Sequence, residues 1–239
     1  MLFQKERSIR GELVLSKEII NLKNVSKVYS SEAGKQKVLN EINVVVKEGE
    51  FIGVVGDSGS GKTTLLNLLG ALDIPSSGEI SILGKRIDQM TERELCEFRR
   101  QNIGFIFQDY NLIEELTVYE NIMFSADLKG LKTNKQTVEK LLAALKLGQK
   151  KDSFPSQLSG GEKQRVAILR SVLKRPAIIL ADEPTGNLDE VNTKIVIDLL
   201  KKFNKKYGVS ILMVTHNTKL TEECDKVITV RNGSLEINS

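Results

Sequence analysis

Eight consecutive residues constrain this chain more than any other stretch: Gly56-Asp57-Ser58-Gly59-Ser60-Gly61-Lys62-Thr63. Their spacing, G-x-x-x-x-G-K-S/T, is that of a phosphate-binding loop. The apolar run Phe51-Ile52-Gly53-Val54-Val55 before them suits a buried strand, and Thr64-Leu65-Leu66-Asn67-Leu68-Leu69 after them is apolar at helical spacing. Strand, glycine loop and helix are the context such a loop needs. The glycines let backbone N–H groups turn inward around phosphate oxygens. The new helix aims its positive end at the same place, beginning at Thr63 and Thr64. Lys62 is placed to reach the outer phosphates, and the Thr63 hydroxyl to bind Mg²⁺. An ordinary glycine turn would require neither three spaced glycines nor the Lys-Thr pair that follows them.

The 239 residues allow one large α/β domain or two small ones, and a 40% hydrophobic content supplies a substantial core. The 35 basic and 31 acidic residues are interspersed, and the net charge of +4 is too mild and too scattered to argue for a nucleic-acid partner. No apolar run approaches the roughly 18–20 residues of a membrane span. The start, Met1-Leu2-Phe3-Gln4-Lys5-Glu6-Arg7, lacks the apolar core of a signal peptide. Cys96 and Cys224 stand in no metal-ligand spacing, which points to a reduced, cytosolic chain.

Along the chain, residues 1–18 read as a charged, loosely held extension. Strands are expected over Ile19–Tyr29 and Val38–Val46, with a polar loop from Ser30 to Lys37 between them. Pro75-Ser76-Ser77-Gly78 marks a turn before a short strand, Glu79–Leu83. Thr91–Gln101 reads as a helix whose N-cap is Thr91, with Glu94 at the capping-box position. Ile103–Phe107 is a buried strand that delivers Gln108. Residues 109–172 turn helical, with helix-like spacing over Thr117–Leu128 and Thr133–Leu145 and a helix start near Ser159. Strand patterns resume at Ala177–Ala181 and Val209–Val214, on either side of a helix from about Glu190 to Lys205. Asp225–Arg231 and Ser234–Ile237 read as closing strands.

Gly56, Gln108, Asp182 and His216 each fall at or within two residues of the carboxyl end of a predicted strand. In open parallel α/β sheets, ligands bind outside that edge. Four polar motifs far apart in sequence therefore converge on one nucleotide. Asp182, after four aliphatic residues, is placed to hold Mg²⁺, with Gln108 at the same metal edge. Glu183, one position on, can polarise the attacking water. His216 is the single histidine of the chain.

Leu158-Ser159-Gly160-Gly161-Glu162-Lys163-Gln164-Arg165 raises a different question. Ser159 can cap a helix, and two glycines let an anion approach its backbone. Yet the first loop should already wrap the phosphates of one nucleotide. Either Gly160 and Gly161 are plain capping glycines, or this helix end faces a nucleotide held by a second subunit in a two-fold dimer.

Taken together, these residues resemble the nucleotide-binding subunits of ATP-binding cassette (ABC) transporters, from about Ile19 to the C-terminus. The resemblance rests on the phosphate loop, the Gln108 Q-loop, the signature Leu158–Arg165, the Walker B run Ile178–Glu183, the D-loop Asn187-Leu188-Asp189 and the switch His216. It implies an α/β P-loop NTPase fold with a mixed-sheet core, an antiparallel β-subdomain and a helical subdomain inserted at about 109–172, all within one domain over 19–239. It also implies that Tyr29 stacks on adenine, that Asp189 joins Ser159, Gly160 and Gly161 at the nucleotide of a second copy, and that His216 senses the γ-phosphate. ATP and Mg²⁺ are the implied cofactors, and a homodimer formed on ATP and a multi-span membrane permease the implied partners. The place would be the inner face of the cell membrane. The text is similar to the branch serving lipoprotein release, macrolide export and antimicrobial-peptide resistance, through Gly59–Asn67, Leu72-Asp73, Ile103–Gln108 and Thr185–Asp189. Asp57, Leu169 and Asn217 replace more usual residues, but no named chemical group is lost. In the resembling family the segment after Gln108 helps to form the groove for a permease helix, which makes Tyr110, Leu112 and Ile113 expected contact residues.

Two other functions fit a cassette. One is a non-transport ABC ATPase; tandem factors carry two cassettes and repair ATPases a long coiled coil, whereas here only 50 residues separate Gln108 from Ser159. The other is a regulatory subunit that signals by nucleotide-dependent dimerisation.

Overall fold

The computed structural model describes residues 17–31 and 34–238, so most of the expected extension over 1–18 lies outside the described residues. A hairpin opens the chain: β1 (Glu18–Ser31) pairs antiparallel with β2 (Gly34–Lys47). Outside residues 32–33, which are not described, the loop expected over Ser30–Lys37 is instead ladder, with Tyr29 opposite Gln36 and Ser30 opposite Lys35. The polar side chains there are largely exposed, so the alternation that marks a half-buried strand is missing although the backbone still pairs.

After β3 (Phe51–Gly56) and α1 (Lys62–Leu69), the strand β4 (Ser77–Ile82) returns to the free side of β1. It begins inside the stretch expected to be a turn, because Ser77 already pairs with Ser26. With β5 (Lys85–Arg86) these strands make a four-stranded antiparallel sheet in the order β2-β1-β4-β5. Helix α2 (Glu92–Asn102) starts at Thr91, where the predicted capping box with Glu94 is closed.

The second sheet takes up β6 (Ile103–Ile106), β7 (Ile178–Asp182), β8 (Ser210–Val214), β9 (Lys226–Arg231) and β10 (Ser234–Asn238). Its order is β10-β9-β3-β8-β7-β6, with every neighbour parallel except the final β9–β10 hairpin. Between β6 and β7 run α3 (Val118–Leu128), α4 (Lys135–Ala144) and α5 (Gly160–Leu173); α6 (Glu190–Tyr207) connects β7 to β8.

Alternate residues of the parallel strands point to two cores, as strand geometry requires. Ile52, Val54, Leu180 and Leu212 face one core, shared with α1, α2 and the antiparallel sheet. Phe51, Ile179, Ala181, Ile211 and Met213 face the other, shared with α3, α5 and α6. Burial on both faces explains why these strands read as unbroken aliphatic runs. The carboxyl ends of four adjacent strands, β3, β8, β7 and β6, thus form one edge. Among the described residues no helix is long and apolar enough to cross a membrane.

Candidate functional site

The glycine loop leaves β3 at Gly56, whose φ is 149°. A Cβ there would lie 2.2 Å from the Val230 carbonyl oxygen, so only glycine fits between the loop and β9. Gly61, at φ 112°, is the N-cap of α1 and offers no side chain to its first N–H groups. Those donors, which in most helices a Ser or Asp would satisfy, are left for an anion. The Lys62 ammonium, nearly buried, donates to the Gly56 and Asp57 carbonyl oxygens at 2.8 and 2.7 Å. Ser60 Oγ is buried without a hydrogen-bond partner. Asp57, Ser58, Gly59 and Thr63 are exposed and Thr64 half-buried.

Lys62, Thr63, Gln108, Asp182, Glu183 and His216 line a single cavity of about 380 Å³, together with Ser58 and Gly59. Asp109 and Asn111 also line it and were not singled out by the sequence; their position directly after Gln108 was the available signal. Burial pushes the Asp182 carboxyl above its ordinary range, with Lys62 and His216 pulling it back. Glu183 is likewise raised by burial, against the opposing His216 N–H. Its Oε2 accepts from His216 N at 3.3 Å, while Oε1 lies 3.4 Å from His216 Nε2 and is buried without a hydrogen bond. Glu183 also sits in the left-handed region at φ 45°. Gln108 donates from Nε2 to Asn187 Oδ1 at 3.2 Å, and Asn187 Nδ2 returns a bond to the Gln108 carbonyl at 3.3 Å.

Mg²⁺ prefers oxygen ligands and keeps several waters, so it is usually held by one or two protein groups plus phosphates. The donors here suit that pattern: the Thr63 hydroxyl, one Asp182 carboxylate and the Gln108 amide oxygen share the cavity. Among the described residues no group of three His, Cys, Asp or Glu could cage a metal unaided.

Ser159, Gly160, Gly161 and Asp189 do not line this cavity. Ser159 caps α5 in a closed box: its Oγ accepts from Glu162 N at 3.4 Å and donates to Glu162 Oε2 at 2.9 Å. The two glycines that follow are packed rather than open. A Cβ on Gly160 would meet the Tyr110 hydroxyl at 2.8 Å, and one on Gly161 would meet Asn192 Oδ1 at 2.3 Å. Asn192 in turn donates through its N–H to Asp189 Oδ1 at 2.7 Å and through Nδ2 to both Asp189 oxygens, and accepts from Arg165 Nη1 at 3.2 Å. Gln164, fully buried, donates to the Pro184 carbonyl at 2.7 Å and ties the same helix to the turn after Glu183. The signature helix is therefore braced to the D-loop within its own chain. Gln164 lies within the signature stretch, though its bond to Pro184 could not be read from it; Asn192 carries no motif signal and could not be found by spacing.

In the segment after Gln108, Tyr110, Leu112 and Ile113 are half-buried and also make contacts within the chain. Tyr110 turns its hydroxyl onto Gly160, and Leu112 packs against the helical core. Asn121, fully buried, holds Ile113 by two bonds of 2.9 Å. These internal contacts leave part of each side chain exposed, as a residue at a contact face would be. Tyr29 lies apart from the cavity lining, on β1, and is 39% exposed.

The family described as ABC transporter matches residues 39–186. Over 91% of this chain and 97% of its own length, the uncharacterized ABC transporter ATP-binding protein MJ1508 of Methanocaldococcus jannaschii is 43% identical. The lipoprotein-releasing system ATP-binding protein LolD of Wigglesworthia glossinidia brevipalpis is 41% identical, over 91% of this chain and 96% of its own. The bacitracin export ATP-binding protein BceA of Halalkalibacterium halodurans is 39% identical, over 91% and 87%. Among solved structures, the dimeric post-hydrolysis state of the ATP-binding cassette MJ0796 with ADP and Pi superposes with a TM-score of 0.84 at 36% identity, covering 92% of this chain and 98% of that one. This chain belongs to the ABC transporter family and is an ATP-hydrolysing cassette of it.

Proposed function

We propose that two copies of this chain close on two ATP molecules and drive a multi-span permease, with residues 19–239 acting as the ATPase domain and 109–172 as its helical part. The observation that carries the reading is the split between two half-sites. Four strand ends line one cavity, while Ser159, Gly160, Gly161 and Asp189 lie outside it and are left to meet the nucleotide of the second copy. The dimeric cassette MJ0796 with ADP and Pi supports the same arrangement. Likeness to ATP-binding subunits of export systems supports such a permease partner, and the inner face of the membrane is where ATP is available. Likeness to proteins named for lipoprotein release, macrolide export and bacitracin export supports export or extraction of a lipoprotein, a macrolide or an antimicrobial peptide.

Within one half-site, the loop N–H groups and the start of α1 hold phosphate oxygens. Lys62 exchanges its two carbonyl bonds for the outer phosphates. Thr63, Asp182 and Gln108 would hold Mg²⁺, which when bound neutralises charge on the transferred phosphoryl group. Glu183 lines the cavity, and its Oε1, buried and without a hydrogen-bond donor of its own, is the oxygen assigned to take a proton from the attacking water. The raised proton affinity that burial gives it suits this role. His216 fixes the carboxylate through Oε2 and senses the γ-phosphate beside it.

Glu183→Gln tests this directly. It keeps the phosphate cradle and should bind ATP while losing about 10²- to 10⁴-fold in hydrolysis. Light scattering at saturating ATP should then show a dimer, and adding Ser159→Arg should return it to monomer. Wild-type turnover refutes Glu183 as the base; a nucleotide-loaded monomer refutes the two half-sites.

A further inference from the structure

Tyr29 is not simply an exposed strand tyrosine. Its hydroxyl donates to Asp73 Oδ2 at 2.8 Å, and the Thr64 side chain reaches the same phenol. The other oxygen of Asp73 takes the Lys27 ammonium at 2.5 Å and the Ile74 N–H at 2.8 Å. Lys27 also donates to the Ile74 carbonyl at 2.8 Å and stands over the Tyr29 ring, 4.9 Å from its centroid. Its side chain is only 10% exposed, an ammonium that this short network alone makes tolerable. Burial opposes ionisation of Asp73, yet the bonds from Lys27 and Tyr29 hold its carboxyl below the ordinary range.

The backbone fixes where this carboxylate stands. Leu72 N and Asp73 N both return to the Asn67 carbonyl, at 2.9 and 3.3 Å, one turn along α1 from Thr64. Ser76 N then bonds the Ser26 carbonyl at 2.8 Å, which lays the segment along β1 beside Lys27 and Tyr29. Thus the helix whose first turn receives phosphate also carries, just past its end, the group that clamps the tyrosine. With Lys27 on one face and the hydroxyl tethered at the edge, the ring keeps one free face and one orientation.

We propose that Asp73 and Lys27 are positioning residues for base recognition, locking the Tyr29 ring in the plane on which the adenine of ATP stacks. This rests on the reading of Tyr29 as the adenine platform. A ring that merely offers a hydrophobic face would be indifferent to losing its hydroxyl. A clamped ring is not, because Tyr29→Phe keeps the face but frees the edge, and stacking then has to order a ring that was ordered beforehand.

Titration calorimetry of MgATP on the full chain, in a Glu183→Gln background that stops turnover, tests this. Tyr29→Phe and Asp73→Asn are each expected to weaken ATP binding about 3- to 10-fold, the worth of one pre-formed hydrogen bond. Tyr29→Ala should weaken it further. Inorganic tripolyphosphate, which has no base, should bind all variants as it binds the parent; a general fold defect would move it as well. Tyr29→Phe leaves the Asp73–Lys27 pair intact, so the test survives if Asp73→Asn folds poorly. Parent-like ATP affinity in Tyr29→Phe, with Tyr29→Ala weakened, overturns the clamp alone. Parent-like affinity in Tyr29→Ala overturns the adenine platform and the clamp with it. A parallel loss of tripolyphosphate affinity in Tyr29→Phe also overturns the proposal.

Discussion

Gly161→Ala isolates the brace between the signature helix and the D-loop. The added Cβ would lie 2.3 Å from Asn192 Oδ1, 2.6 Å from its Cγ and 3.2 Å from its Cβ, so the whole Asn192 side chain has to rotate away. Rotation gives up the Arg165 Nη1 bond and both Nδ2 bonds to Asp189; the backbone N–H bond to Asp189 can remain. Arg165 Nε is already buried without a partner, so losing Nη1 leaves a second desolvated donor on the same guanidinium. The two Nδ2 bonds to Asp189 are exposed and are replaced by water, so overpacking and the one part-buried bond to Arg165 set the cost, at the lower end of their ranges about 2–4 kcal/mol. Gly→Ala in a helix returns at most about 1 kcal/mol, and less in a first turn. The net loss is therefore about 1–3 kcal/mol, a melting point lower by about 2–12 °C in a domain of this size. The decisive assay is a double-mutant cycle by thermal or urea unfolding. Asn192→Ala removes the two atoms nearer than 3 Å and leaves only its Cβ at 3.2 Å, so Gly161→Ala in that background should cost much less, with a coupling of about 1 kcal/mol or more. Additive losses would refute the argument, because the glycine would then be needed for something other than room for Asn192.

Two further outcomes follow from burial at the same loops. Glu183 binds its proton more tightly folded than unfolded, so its contribution is favourable at low pH and is lost as pH climbs from about its ordinary 4.5 through the raised folded value. The melting-point gain of Glu183→Gln over the parent should therefore be near zero at pH 4 and grow towards pH 7; a gain independent of pH would contradict the burial effect, Asp182 being common to both proteins. Arg170 donates to the Tyr110 carbonyl at 3.0 Å and to that of Asn111, two residues held in the left-handed region at φ 62° and 48°. Arg170→Met should cost about 2–3 kcal/mol in urea unfolding and lower kcat more than it raises KM for ATP, since it slackens the Q-loop and leaves the phosphate loop untouched.

How far these features could be read in advance differed by the kind of signal. The phosphate loop, the aliphatic strands and the four strand-end residues were legible because each depends on local chemistry: glycine freedom at 56 and 61, burial on two faces, and a polar residue where a strand stops. Thr91 and Glu94 announced a capping box that formed. The polar hairpin at Ser30–Lys37 was not legible, because backbone pairing there needs no apolar face. The internal contacts of Tyr110 and Ile113 were not legible, because nothing local reveals a fully buried Asn121 eight residues from Ile113, or a glycine 50 residues on beside the Tyr110 hydroxyl. Asn192 and Asp73 share that property: their partners lie 27 and 46 residues away, and the contact exists only once helices have been placed.

Of the non-glycine residues at positive φ, Glu183 is the one whose conformation bears on the proposed reaction. A non-glycine residue at φ 45° costs about 1–3 kcal/mol when its surroundings impose it. Here the imposing contacts are visible, since Glu183 N bonds the Val214 carbonyl at 3.1 Å and its Oε2 takes the His216 N–H. Glycine would relieve the backbone, and a smaller neutral side chain would relieve the buried charge. Neither would place a carboxylate oxygen in the cavity, beside Asp182 and within 3.4 Å of His216 Nε2. Stability alone would select against this residue in this conformation on both counts. The two penalties coincide at the position proposed to take a proton from water, and the strands on either side, β7 and β8, are among the most completely buried segments described. A rigid sheet edge can hold a strained, desolvated carboxylate in place; a surface loop would relax and hydrate it.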